Sequence, residues 1–111
     1  MKKVEAIIRP IQLRGVQNAL MQEGIESLTI SDVKGCGGEG HVERYRGAEY
    51  VVDFLPKIKI EVVLEDRFAA RVAQVIEASV GDRRPGDRDI RLLFVEDVIR
   101  IRTGQHGAAA V

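Results

Sequence analysis

The chain uses the same strand twice. "KKVEAIIRP" (Lys2–Pro10) and "KIKIEVVLED" (Lys57–Asp66) both alternate apolar and charged residues, and a helical pattern follows each. A period-2 segment, a 3.6-period segment and a second period-2 segment, repeated within 111 residues, leave few solutions. The economical one is a ferredoxin-like double βαβ fold of the α+β class: a four-stranded antiparallel sheet with both helices on one face.

In the first unit, Val4, Ala6 and Ile8 oppose Lys3, Glu5, Ile7 and Arg9, and Pro10 ends the strand. Leu13, Val16, Ala19 and Leu20 recur at helical spacing, with Gly24 placed as a C-cap glycine. The segment Ser27–Val33 alternates again. In the second unit, Ile58, Ile60, Val62 and Leu64 share one face, and Glu65 and Asp66 put acid at a helix start. Phe68, Val72, Val75 and Ile76 form the expected apolar stripe, and a last strand is expected over Ile90–Arg102. The helix-free sheet face then carries Ile7, Val63 and Val33 among Lys3, Glu5, Lys59 and Glu61. Such a face is too apolar for open solvent, so a homo-oligomer is expected.

Composition removes several classes of function. Seventeen basic residues balance seventeen acidic ones, so the field that draws a protein to nucleic acid is missing. Three Phe, two Tyr and no Trp leave few stacking platforms. No apolar run reaches the roughly 20 residues of a membrane span, and "MKKVEAIIRP" lacks the apolar centre of a signal peptide. A lone Cys36 makes neither an internal disulfide nor a cysteine cage for zinc, in keeping with a cytoplasmic protein.

Two loops and one arginine pair remain for function. The segment from Gly35 to Pro56 opens with "GCGGEG", continues through "HVERYRGAEY", and is too long for a plain connection. It reads either as a disordered tip or as a recognition arm that orders on a partner. "GDRRPGDRD" (Gly81–Asp89) carries three arginines that suit an anion, or else forms a solvated turn. On a strand, Arg100 and Arg102 would share one face roughly 7 Å apart, a repulsive pair unless an anion lies between them. Together these features suggest a polyphosphate site between subunits. Catalytic patterns are poor: His41 and His106 have no partner spacing, Cys36 has no base beside it, and neither GxxxxGK[ST] nor GxSxG occurs. No metal set is indicated, and an enzyme is disfavoured.

The chain resembles the PII signal-transduction proteins over nearly its whole length. The resemblance is carried by "MKKVEAIIRP", "DVKG", "YRGAEYVVDFLPKIKIEVV" and "VIRIRTG", with "YRGAEY" (Tyr45–Tyr50) the most specific. It implies a single PII-like domain over 1–111, with a T-loop at about 36–56, a B-loop at about 81–90 and a C-terminal tail at 103–111. It further implies a homotrimer that binds ATP or ADP, with AMP also a candidate, in clefts between subunits. Matching nucleotide positions are Ile7, Thr29, Gly35, Gly37, Gly38, Glu61, Val63, Gly86, Asp87, Arg88, Arg100, Ile101 and Arg102. Glu39 and Lys57 match the region that takes 2-oxoglutarate, and Tyr50 matches the tyrosine uridylylated in many proteobacterial members. The implied partner is an ammonium-type transporter or a metabolic or modifying enzyme reached through the T-loop. Neither nucleic-acid binding nor membrane insertion is implied.

Two departures from the family pattern bear on the ligands. "GCGGEGH" is one residue short, and Glu39 or Gly38 stands where a glutamine helps to hold Mg²⁺ and 2-oxoglutarate. A carboxylate there suits Mg²⁺ but repels the 2-oxoglutarate dianion, which speaks against their cooperation with ATP. In the B-loop, Asp89 replaces a phosphate-binding lysine and Arg88 a glycine. Each charge unit at about 4 Å is worth on the order of 1 to 4 kcal/mol, so ATP affinity falls unless Arg83, Arg84 or Arg88 substitutes. The leading expectation is a nucleotide-binding regulator. Two others stand beside it: a T-loop interaction protein that has lost sensing, and a weak ATPase at the same site.

Overall fold

The computed structural model describes residues 1–35, 41–45, 48–52, 55–81, 83–84, 87 and 89–111, with the backbone alone for 41–45 and 48–52. Strand β1 (Lys2–Ile8) leads through a short 3-10 turn, Pro10–Gln12, into helix α1 (Leu13–Gln22) and strand β2 (Thr29–Gly35). A hairpin of β3 (His41–Tyr45) and β4 (Ala48–Val52) follows, then β5 (Leu55–Leu64), α2 (Asp66–Ser79) and β6 (Ile90–Phe94). The main sheet has the order β2-β5-β1-β6, and every pairing in it is antiparallel. This is the expected ferredoxin-like arrangement.

Alternation decides which faces are wet. Val4, Ala6 and Ile8 of β1 and Ile58, Ile60, Val62 and Leu64 of β5 are buried, with Val16 and Leu20 of α1 and Ala69, Val72 and Ile76 of α2 over them. The C-cap reading of Gly24 holds. Its φ is +83°, its N–H donates to Met21 O, and Ile25 N–H donates to Leu20 O, the bond pair of a Schellman ending. Gln12, buried at the joint between β1 and α1, accepts the Arg9 N–H through Oε1 (2.8 Å) and donates through Nε2 to Val80 O (2.9 Å). That side chain fastens the start of one helix to the end of the other.

Four expectations need correction. The inward stripe of α2 is Ala69, Val72 and Ile76, with Val75 packed at its side; Phe68, about 70° from the middle of that stripe, lies outward beside the Arg67 guanidinium. β2 lies two residues later than Ser27–Val33. The long loop has secondary structure of its own, since β3 pairs with β4 from Tyr45↔Ala48 to His41↔Val52. The last strand stops at Phe94 rather than running to Arg102. Beyond it the Asp97 carboxylate captures the Val98 and Gly107 N–H groups, and Gly104 (φ +72°) turns the chain. A local side-chain acceptor outcompetes ladder pairing there.

Candidate functional site

The helix-free sheet face is built by register. Glu5 stands directly opposite Glu61, Ile7 opposite Lys59, Lys3 opposite Val63, and Thr29 opposite Glu61 on its other side. Two carboxylates face to face would repel. Lys3 relieves this by reaching both Glu5 (3.2 Å) and Glu61 (3.3 Å), and Lys59 does the same at 3.7 and 3.3 Å. Burial pushes the Glu61 carboxyl up, but its bonds to Lys59 and Lys3 outweigh this and hold it below the usual range. The bonds to Glu5 and Glu61 hold Lys3 above its ordinary value. Alternation alone puts these charges on the open face but gives no sign that they close a four-membered ring.

Beside this ring lies Lys57, buried at 8% exposure. Its stem lies against Gly35: a Cβ there would come within 3.2 Å of Lys57 Cγ. The Lys57 ammonium has no hydrogen-bond or ion-pair partner among the described residues. A lysine held this way, with no counter-ion among the described residues, suits a carboxylate or phosphate ligand. Ile7, Thr29, Gly35, Lys57, Glu61 and Val63, six of the positions read from the sequence, therefore share one sheet face.

The other expected residues divide. Asp87 is taken up internally: Arg9 Nε stands 3.0 Å from Oδ1, an ion pair off the line of a hydrogen bond, and Oδ2 accepts the Arg84 N–H (2.9 Å). Arg100 and Arg102 are exposed in the C-terminal turn, and Ile101 between them is 99% exposed. Arg100 donates to Ala110 O at 3.2 Å, and neither arginine bonds to the sheet-face residues. Their expected alternation along a strand is replaced by this turn. Gly37, Gly38, Glu39, Gly86 and Arg88 lie outside the described residues, and Tyr50 is placed only by its backbone, opposite Glu43 in the hairpin.

The swapped charge at Asp89 has a local answer that the sequence pattern does not reveal. Arg91 Nε sits 3.0 Å from its carboxylate, and that bond raises the arginine's pKa further. An open groove of about 290 Å³ between the start of α1 and the end of α2 is lined by Arg9, Gln12, Val80 and Arg84 and, apart from Arg84, by none of the residues expected at the ligand. Among the described residues no cluster of three His, Cys, Asp or Glu side chains could hold a metal, and no helix is long and apolar enough to cross a membrane.

Comparison with known proteins agrees with the geometry. The family model described as Nitrogen regulatory protein P-II matches residues 1–105. Relatives of that name from Azospirillum brasilense and Rhizobium meliloti (strain 1021) are each 51% identical, and one from Cereibacter sphaeroides is 52% identical, all over the full length of both chains. Among solved structures, Arabidopsis thaliana PII bound to citrate superposes with a TM-score of 0.79 at 35% identity, covering 99% of this chain and 91% of that one.

Proposed function

Because the chain belongs to the nitrogen regulatory protein P-II family, a family of signalling regulators rather than enzymes, we propose that it binds an adenine nucleotide between subunits of a homotrimer. On this reading it is a cytoplasmic protein that controls a transporter or a metabolic enzyme through the long segment between β2 and β5. The observation that carries the ligand part is the division of the anion-seeking groups. Lys57 and the Thr29–Glu61 pair lie on the sheet face, whereas Arg100 and Arg102 project from the C-terminal turn without bonding to that face. A second copy that brings its turn to this face would complete the site.

The residues present fit a polyphosphate. Lys57, Arg100 and Arg102 supply cationic donors, and Ile7 and Val63 supply apolar surface for a base. Arg91 offsets Asp89, so the charge swap in that loop weakens phosphate binding less than the sequence alone suggests. Calorimetric titration with ATP, ADP and AMP, with and without 2-oxoglutarate, tests the proposal. Micromolar binding of at least one nucleotide is expected, and binding no tighter than millimolar for all three would end it. One observation favours a non-sensing interaction protein: Asp87, expected at the ligand, is engaged by Arg9 and the Arg84 backbone instead. A target complex whose stability is indifferent to every nucleotide would select that reading.

A further inference from the structure

The segment after β6 folds back on itself around one carboxylate. Asp97 Oδ1 accepts N–H bonds from Val98 (2.8 Å) and Gly107 (3.0 Å), and Oδ2 lies 3.1 Å from His106 Nδ1. Gly107 N–H also reaches Val98 O (3.0 Å), Arg100 N–H reaches Gln105 O (2.9 Å), and Gly104 N–H reaches Arg100 O (2.7 Å). Positive φ at Gly104 (+72°) and Gly107 (+65°) lets the chain reverse twice. A 3-10 turn over Gly107–Ala110 then buries Ala110 and brings its carbonyl to Arg100 Nη2 at 3.2 Å. Arg102, two residues on, has no hydrogen-bond or ion-pair partner among the described residues.

We propose that Asp97 and His106 are positioning residues for the phosphate site: the clasp they close fixes the tail, and the tail carbonyl holds the Arg100 guanidinium in one orientation before a ligand arrives. This rests on the nucleotide reading above. A carbonyl occupies one of the five guanidinium N–H donors and leaves the rest for an anion. Restraining the side chain beforehand removes much of its ordering cost from the binding step. The bonds from His106, Val98 and Gly107 hold the Asp97 carboxyl below its usual range.

Calorimetric titration of the full chain with ATP tests this in wild type, Asp97→Ala, Ala110→Asp, Arg100→Ala and the Asp97→Ala/Arg100→Ala double variant. Ala110→Asp expels the tail without touching Asp97 and carries the test if Asp97→Ala fails to fold by circular dichroism. The expected result is a loss of about threefold to tenfold in ATP affinity for either clasp variant, the cost of immobilising one long side chain. In the Arg100→Ala background Asp97→Ala should add nothing. Equal losses in both backgrounds mark a merely structural role and overturn the proposal, as does unchanged or tighter binding by the clasp variants. Failure of wild type to bind ATP, or indifference to Arg100→Ala, refutes the nucleotide reading itself and the proposal with it.

Discussion

Gly35 and Lys57 form a pair in which one residue lacks a side chain so that the other can lie down. The Lys57 stem fills the space above Gly35, and an added Cβ would sit 3.2 Å from Cγ and 3.7 Å from Cε. The lysine must then give by a few tenths of an ångström, moving its ammonium. Gly35→Ala should cost about 1 kcal/mol in denaturant unfolding, at the low end of overpacking because the neighbour is a flexible chain. The same variant should weaken anion binding severalfold, whereas Lys57→Met keeps the apolar stem, leaves the unfolding midpoint near wild type and abolishes the charge-dependent part. A Gly35→Ala protein that binds normally would show the lysine to be free to move. Lys57 is legible in the sequence only through family resemblance, since an alternating strand gives no sign that one of its lysines is buried.

Strands β1 and β5 are readable because their alternation sets a period that packing cannot override without exposing Ile58, Ile60, Val4 and Ala6 together. The C-terminal strand fails for the converse reason. "VIRIRTG" alternates as well as any strand, but the deciding residue, Asp97, precedes it and acts through a side-chain carboxylate that period counting does not weigh. The ring of Lys3, Glu5, Glu61 and Lys59 gives these strands a pH signature. Glu61 has its folded pKa lowered, so its contribution is present above the ordinary carboxylate range and is lost as pH falls through the lowered value. Lys3 has its folded pKa raised, so its contribution is full below its ordinary value of 10.5 and is lost only as pH rises beyond the raised one. Unfolding free energy should therefore be flat across neutral pH. Glu61→Gln should lower that plateau by about 1 kcal/mol and reduce the acid-side slope; an unchanged slope would remove Glu61 from the acid transition. Gln12 ties the two helices in a similar way. Gln12→Ala would strand the Arg9 N–H and the Val80 carbonyl for about 2 kcal/mol, read as a lower unfolding midpoint.

Exposed apolar side chains gather on β6 and the segment after it, although Ile11, Met21 and Phe68 are exposed elsewhere. Phe94 is 88% exposed, and Leu92, Leu93, Ile99 and Ile101 are exposed with it, all on or after β6. β6 is the edge strand next to β1, so its outer backbone groups are also without a ladder partner in the main sheet. Leu93 pairs with Lys3 and so shares the helix-free face with Ile7 and Val63. Apolar surface of this extent beside an open edge is what a symmetric assembly covers, and in a ring each copy would meet its neighbour through this region. Wild type should sediment as a trimer. Leu93→Glu places an acid where the neighbour should dock, and it should shift the chain toward monomer and lower its melting temperature. If the nucleotide site is shared between copies, ATP binding must fall in the same protein concentration range in which the trimer dissociates. A monomeric Leu93→Glu chain that still bound ATP with wild-type affinity would place the whole site within one subunit.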